Sequence, residues 1–260
     1  IILDSGVSTE LERRGAPMRK GQWSACVAID AFETLVETHL AYIEAGADII
    51  TVNSYASSRL MLEPAGLGDQ VQNINERNVD AALEARSRSG KPIAIAGSLS
   101  HALPFIDGFE GAFQQPVIPS EQLIRSYKEM ITIMEVKGVD LLLLEMMSIP
   151  SRMEPLFVYA SSSDLPVWCG LSAKREAIGS PLKSWHDDTV AFEEIIALAN
   201  NYSFEGMGIM HTSVDTVEFA LEQINEEFKG IVMAYPDSGY FAAPNWQFQD
   251  IITPPDLLDF

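Results

Sequence analysis

Short apolar runs alternate with helical patterns along the whole chain. Each run ends in a polar or small residue, and near-continuous hydrophobicity in short runs is typical of parallel strands covered on both faces. Strands that alternate with helices indicate repeated strand–helix–strand units. The predicted strands, from the first to the seventh, are Ile1–Gly6, Ala47–Asn53, Pro92–Ser98, Val139–Met146, Pro166–Ser172, Glu205–His211 and Gly230–Pro236.

The segments between these runs have the period of amphipathic helices. Apolar side chains recur every three or four residues over 32–43, and Gly46 then supplies a stop before the second strand. Segments 75–88 and 120–137 show the same pattern and also end beside a glycine. The alternation predicts an α/β fold, the (β/α)8 TIM barrel, as a single domain over residues 1–260, which stops where an eighth strand would begin.

Polar residues stand at or near the ends of the predicted strands. In a (β/α)8 barrel the active site is built from the C-terminal ends of the strands. The residues that this rule selects are Asp4, Asn53, Ser98, Glu145, Ser172, His211 and Tyr235.

Two of these residues are carboxylates in apolar surroundings. Asp4 interrupts the first strand, and either a place at the barrel mouth or the capping of the next segment explains it equally well. Glu145 follows four leucines, where a buried charge is costly unless it meets a cation or several hydrogen-bond donors. A structural ion pair is the alternative, and a functional role is favoured because this strand end lies over the predicted active site.

Two histidines have candidate roles at the barrel mouth. His211 ends the sixth strand, where an imidazole can ligate zinc, shuttle protons or simply bond a neighbouring carbonyl, and the residues alone leave it unassigned. His101 lies just beyond the third strand, in a long loop with Phe105, Phe109 and Phe113. This loop either folds over the mouth as a lid or packs its aromatic rings onto the barrel.

The chain is strongly acidic, with 17 Lys+Arg against 37 Asp+Glu and a formal net charge of −20. This charge repels phosphate backbones and anionic lipid head groups, so we expect neither nucleic-acid nor membrane partners. Apolar runs fall short of the ~20 residues that span a bilayer and no basic leader opens the chain, which predicts a cytoplasmic protein. Cys26 and Cys169 are too few for a disulfide framework and lack CxxC spacing.

Five longer strings are more specific than the barrel pattern. They occur in order on the first, second, third, fourth and seventh predicted strands. They are LDSGVSTELERRG (Leu3–Gly15), HLAYIEAGADIITVNSYASS (His39–Ser58), AIAGSLS (Ala94–Ser100), GVDLLLLEM (Gly138–Met146) and AYPDSGYF (Ala234–Phe241). Together they resemble the homocysteine S-methyltransferase family.

The resemblance implies a zinc-binding (β/α)8 barrel that takes up homocysteine as its thiolate. Family carboxylates at the ends of strands one and four hold the substrate amino group, and Asp4 and Glu145 occupy the matching positions. Asn53, Ser98 and Tyr235 would line the substrate pocket. The methyl donor stays open among a sulfonium, a quaternary ammonium and a methylated folate.

The chain departs from the family pattern at the zinc ligands. The family holds zinc with three cysteines, one in a GxNC motif that ends strand six and two in a GGCC motif that ends strand eight. Here strand six ends GIMH, so His211 replaces the cysteine, and the sequence finishes at TPPDLLDF without GGCC; the usual LDGG also reads LDSG, with Ser5. Either residues are missing or the chain has lost the metal chemistry, and we favour missing residues because seven strands leave two unpaired edges.

We therefore predict a methyltransferase that methylates the thiol of homocysteine to give methionine. Its partners would be an amino-acid thiol and a small methyl donor, with His211 as a zinc ligand by family resemblance. A non-catalytic barrel that binds a small amino acid or sulfonium metabolite is the alternative from another class. A metal-free lyase or hydrolase that uses Glu145 and His211 is a third, and homo-oligomer formation stays open.

Overall fold

The computed structural model describes residues 1–19, 21–104, 117–177, 179–242, 247–249 and 251–258. A curled parallel sheet of six strands forms its centre, in the order β1-β2-β3-β4-β7-β8. Two antiparallel pairs, β5 with β6 and β9 with β10, lie outside this sheet. The strands are β1 Ile49–Thr51, β2 Ala94–Ser100, β3 Leu141–Met147, β4 Val167–Leu171, β5 Ala173–Lys174, β6 Lys183–Ser184, β7 Gly206–Ser213, β8 Ile231–Asp237, β9 Tyr240–Ala242 and β10 Gln247–Gln249.

Helices connect the parallel strands, as the hydrophobic period predicts. The helices α3, α5 and α6 end at a glycine in left-handed backbone; in α6, Gly138 at φ 81° donates its N–H to the carbonyls of Met134 and Glu135. Two short 3-10 turns, Glu63–Ala65 and Gly68–Gln70, follow α4. The helices are α1 Val7–Arg13, α2 Val27–Asp30, α3 Phe32–Ala45, α4 Arg59–Leu62, α5 Val71–Ser89, α6 Ser120–Lys137, α7 Pro150–Ala160, α8 Phe192–Asn200, α9 Val214–Glu227 and α10 Pro254–Leu258.

The first predicted strand, Ile1–Gly6, is reduced to a bridge beside β1. Leu3 pairs in parallel with Ile49, and the N–H of Asp4 donates to the carbonyl of Ile49 at 2.9 Å. The chain then enters α1 at Val7, which leaves too few extended residues for a full ladder. The sheet is thus a barrel with a strand missing, and the predicted TIM-barrel class is confirmed.

The two faces of the sheet bury different sets of side chains. The larger hydrophobic cluster joins Leu142, Leu144 and Ile209 to residues of the surrounding helices, so it lies on the convex face. The smaller cluster is formed by side chains of the strands, so it fills the concave interior of the barrel. Its buried members are Ile49, Ala96, Leu141, Leu143, Trp168, Met210 and Met233. Both faces are covered, which explains the near-continuous hydrophobicity of the strands.

β7 and β8 approach each other closely at a glycine. A Cβ atom on Gly208 would lie 1.9 Å from the carbonyl oxygen of Met233, so this position excludes every side chain. At the outer edge of β8, Ile231 and Val232 are exposed. No additional strand covers that edge within the residues that the structure describes.

Two further expectations from the sequence concern the predicted lid and the membrane. Phe105, Phe109 and Phe113 of the predicted lid lie outside the described residues. Helices of the described part are too short or too polar to cross a membrane.

Candidate active site

A cavity of about 280 Å³ opens at the C-terminal ends of the strands. It lies where the barrel rule places the active site. Its wall comes from the segment before and within α1, from the end of β1, and from the ends of β3, β7 and β8. The residues that line the cavity include Ser5, Trp23, Thr51, Asn53, Tyr55, Glu145, Met146, Met210, His211, Tyr235 and Asp237.

Asp4 lies behind this wall and does not itself line the cavity, because its carboxylate is turned toward Thr51 at the end of β1. Its Oδ2 accepts the N–H of Thr51 at 2.6 Å, and its Oδ1 accepts the Thr51 hydroxyl at 2.8 Å. Burial raises the pKa of Asp4 to about 7, the two hydrogen bonds from Thr51 oppose that rise, and the negative charge of Glu145 adds to it. The two predicted carboxylates are therefore close enough to interact electrostatically.

Glu145 reaches the cavity because it follows the inward side of β3. Leu141 and Leu143 belong to the interior cluster, and the strand alternation directs Glu145 to the same side. Glu145 as a whole is only 8% exposed. The next residue, Met146, has φ 57° and falls within a register shift between β3 and β4, so it is the additional residue of a β-bulge. The bulge lets Met146 line the cavity as well.

His211 enters the cavity through a second bulge. Met210 already points into the barrel interior, so strict alternation would send residue 211 to the outer face. The register between β7 and β8 shifts between Met210 and Thr212, and His211 has φ 47°. This left-handed backbone is uncommon outside glycine and returns the imidazole to the barrel mouth.

The imidazole of His211 lies between two carboxylates. Its Nδ1 is 3.4 Å from Oδ1 of Asp237, and its Nε2 is 3.7 Å from Oε2 of Glu145. Burial works against protonation of the ring, but the hydrogen bonding and charge of Asp237 and Glu145 outweigh it and raise the pKa of His211 to about 9. Without another ligand on Nε2, the ring is therefore cationic at neutral pH.

Aromatic rings form the rest of the wall around His211. Tyr235 lies 5.7 Å and Tyr55 6.4 Å from the imidazole, measured between ring centroids. The Tyr55 hydroxyl donates to the thioether sulfur of Met146 at 3.1 Å, and Trp23 stacks on Tyr55 at 5.7 Å. Burial, together with the charges of Asp4 and Glu145, raises the pKa of Tyr235 well above its usual range.

Asn53 and Ser98 differ from the other predicted site residues. Asn53 borders the cavity, but its amide donates to the carbonyl of Ser24 and the side chain of Asn78 and accepts the Ser24 hydroxyl. Ser98 is fully buried, and its side chain is not among the described groups that line the cavity. The structure thus brings Asp4, Glu145, His211 and Tyr235 together, uses the Asn53 amide to join β1 to α5, and leaves Ser98 inside the sheet.

Asp237, Thr51 and Tyr55 are the site residues that sequence reasoning did not single out. Asp237 carried the best available signal, because it directly follows the seventh predicted strand within the string AYPDSGYF. Thr51 and Tyr55 flank the end of the second predicted strand, where only Asn53 was selected.

The described residues do not make up a zinc site by themselves. Nε2 of His211 faces the cavity while Nδ1 faces Asp237, which is the arrangement of a histidine ligand with its supporting carboxylate. Glu145 adjoins the same Nε2, so these two residues are the ones that would contribute to such a site. Within the described ranges, no group of three His, Cys, Asp or Glu side chains could hold a metal ion, and Cys26 and Cys169 are buried outside the cavity wall.

These features define a class of protein: a parallel α/β barrel with a small acidic and aromatic pocket at the C-terminal ends of its strands. Residues 1–255 match the family model for homocysteine S-methyltransferase. The chain belongs to the homocysteine S-methyltransferase family, and the predicted family and enzyme class are confirmed.

Individual relatives agree with this assignment. The chain is 28% identical to homocysteine S-methyltransferase 4 of Zea mays, over 98% of this chain and 78% of that protein. It is 26% identical to the selenocysteine Se-methyltransferase of Brassica oleracea var. italica, over 92% and 72%. The metallated homocysteine methyltransferase MmuM of Escherichia coli superposes with a TM-score of 0.76 at 24% identity, over 92% and 84%, and supports the fold.

Proposed function

We propose that this protein transfers a methyl group from a small donor to the thiol of homocysteine, giving methionine. The observation that carries the proposal is the meeting of Glu145, His211 and Asp237 at one cavity, in a chain that matches the family from end to end. Zinc and a cytoplasmic location, expected from the resemblance and the composition, remain predictions.

Asp4 and Glu145 would receive the ammonium group of the amino acid. Glu145 faces the cavity, and Asp4 lies behind Thr51 with a pKa near neutrality that a bound ammonium would lower. An amino acid bound this way supplies the cation that a buried carboxylate requires. Tyr235 and the edge of Asn53 would limit the space around the substrate.

The thiol must lose its proton before it can accept a methyl group. A free thiol has a pKa of about 8.5 and is mostly protonated at neutral pH, and coordination of its sulfur to zinc would remove that proton. Among the described residues, Nε2 of His211 would hold such a metal, with Glu145 beside it. In the transfer, the sulfur electron pair forms the new S–CH3 bond, and the bond between the methyl group and the donor breaks with its electrons left on the donor.

The cavity favours a cationic donor. Glu145 and Asp237 make its interior acidic, and the rings of Trp23, Tyr55 and Tyr235 offer π faces to a sulfonium or quaternary ammonium. A folate carries negative charge and would be repelled by the same carboxylates. We therefore place sulfonium and quaternary ammonium donors ahead of a folate.

Product analysis tests this function directly. The full-length protein is incubated with homocysteine and either a methylsulfonium amino acid or a betaine, and methionine is measured by mass spectrometry. We expect methionine from a cationic donor and none when the protein is omitted. Homocysteine binding by calorimetry without any product would instead support the non-catalytic barrel. Homocysteine breakdown without a donor would support the lyase or hydrolase.

A further inference from the structure

Asp237 faces the nitrogen of His211 that points away from Glu145. Its carboxylate comes from the end of β8, whereas the imidazole comes from the bulge in β7, and the two side chains are 14% and 21% exposed. The Nδ1 to Oδ1 distance of 3.4 Å places the two side chains in ion-pair contact, slightly beyond the usual range of an N–H···O hydrogen bond. This contact is separate from the carboxylates that would bind the substrate ammonium.

We propose that Asp237 is a positioning residue, which accepts the Nδ1–H of His211 and thereby directs Nε2 into the cavity. There Nε2 would meet the metal ion or the thiol of the substrate. The inference rests on the proposed function and deepens it, because it assigns the nitrogen of His211 that faces the substrate.

An imidazole at this position has a requirement that a cysteine lacks. A cysteine offers one sulfur atom, whereas a histidine offers two nitrogens, and the partner of one nitrogen decides which nitrogen is free to bind. A carboxylate on Nδ1 also increases the basicity of Nε2. The orientation of the His211 ring therefore needs a second residue, and Asp237 is in the place to supply it.

The surroundings of the ring give the two carboxylates different tasks. Asp237 lies on Nδ1 and Glu145 lies on Nε2, so only Glu145 borders the nitrogen that faces the cavity. Tyr55 and Tyr235 flank the imidazole and restrict its rotation. The left-handed backbone of His211 is a strained feature at the mouth of the site, as expected where a side chain must be aimed.

Proton NMR of the full-length protein can detect the Nδ1–H directly. The chain has 4 histidines, so 15N-labelled histidine gives a small set of signals, and His211→Gln assigns those of His211. In the unsubstituted protein we expect a low-field Nδ1–H resonance that exchanges slowly with water. Asp237→Asn should abolish it or shift it upfield, whereas Asp237→Glu, which keeps the carboxylate, should retain it.

Glu145→Gln is the matched control, because it removes the carboxylate on the other nitrogen. It should leave the Nδ1–H resonance in place. An Nδ1–H resonance that persists in Asp237→Asn, with chain folding confirmed by circular dichroism, would overturn the inference. The resonance does not depend on methyl transfer, so failure of the proposed function would be recognised separately.

Discussion

At the scale of the residue, the site depends on two buried carboxylates, Asp4 and Glu145. Asp4 is 4% exposed and is held by two hydrogen bonds from Thr51, while Glu145 is 8% exposed beside a cationic imidazole. A buried carboxylate without a cation is costly, so such residues persist where a ligand or a neighbouring charge compensates them. In this cavity His211 compensates part of the charge, and the remainder is available for a positively charged substrate group.

Glu145→Gln should weaken the affinity for the amino acid far more than it lowers the free energy of unfolding. The amide keeps the shape but removes the charge that would pair with the substrate ammonium, and loss of one partner of a buried charge pair costs about 3 kcal/mol, or roughly 100-fold in affinity. Calorimetry of homocysteine binding and kcat/KM of methyl transfer measure the change. Glu135→Gln, an exposed position on α6, is the control. Unchanged affinity in Glu145→Gln would contradict the assigned role.

Asp4 should make the unfolding free energy fall as the pH rises. Its pKa is about 7 in the folded chain against 3.8 in the unfolded chain, so the folded state holds more protons between these values. The contribution to stability is therefore complete below pH 4 and is lost as the pH passes 7.

The Asp4→Asn variant removes this dependence. Between pH 4 and pH 8 the unsubstituted protein should lose about 4 kcal/mol relative to the variant, on the basis of 1.36 kcal/mol per pKa unit. Urea unfolding at several pH values provides the comparison, and only the slope with pH matters, because Asn also changes the contact with Thr51. Parallel pH profiles for the two proteins would show that the carboxyl group is not shifted.

At the scale of the element, two β-bulges determine which side chains reach the cavity. Met146 and His211 are the additional residues, each with a positive φ, in strands whose other residues alternate regularly between the two faces. A bulge adds one residue to a strand, which redirects a side chain and bends the strand locally. β3 and β7 therefore contribute both core packing and site residues.

Gly208→Ala should destabilise the pairing of β7 with β8. The new Cβ would lie 1.9 Å from the carbonyl oxygen of Met233, which is backbone and cannot rotate away. We expect a loss of about 3 kcal/mol or more in unfolding free energy, measured by urea denaturation.

Gly97→Ala in β2 is the matched control for this prediction. Its Cβ would approach the side chain of Met134, with 2.9 Å to Cγ, and a flexible methionine can move. We expect a loss of about 1 kcal/mol there. Equal losses in the two variants would contradict the assignment of Gly208 as the close approach of β7 and β8.

At the scale of the whole molecule, the negative charge opposes compactness. A formal net charge of −20 on 260 residues gives self-repulsion that weakens the folded state. Local ion pairs such as Arg59 with Glu129 offset only part of this charge, because acidic residues outnumber basic ones by about two to one.

Added sodium chloride should therefore raise the midpoint of thermal unfolding. The Debye length falls from roughly 30 Å at 0.01 M to 10 Å at 0.1 M, so repulsion between distant carboxylates is screened over this range. Differential scanning calorimetry at neutral pH measures the shift. A variant with Glu218→Lys, Glu222→Lys and Glu226→Lys on the exposed side of α9 carries less negative charge and should respond less to salt. A midpoint that is independent of salt would contradict the importance of self-repulsion.

The sequence by itself determined the barrel, its strand and helix order, the family, and the carboxylates at two strand ends. These properties follow from burial pattern and from short strings, which are local along the chain. The tertiary structure alone decided that Asn53 serves a buried network, that Ser98 stays inside the sheet, and that Asp237 lies beside His211. The reason is physical: a bulge and its partner depend on the register between strands that are separate in sequence, and no local pattern records that register.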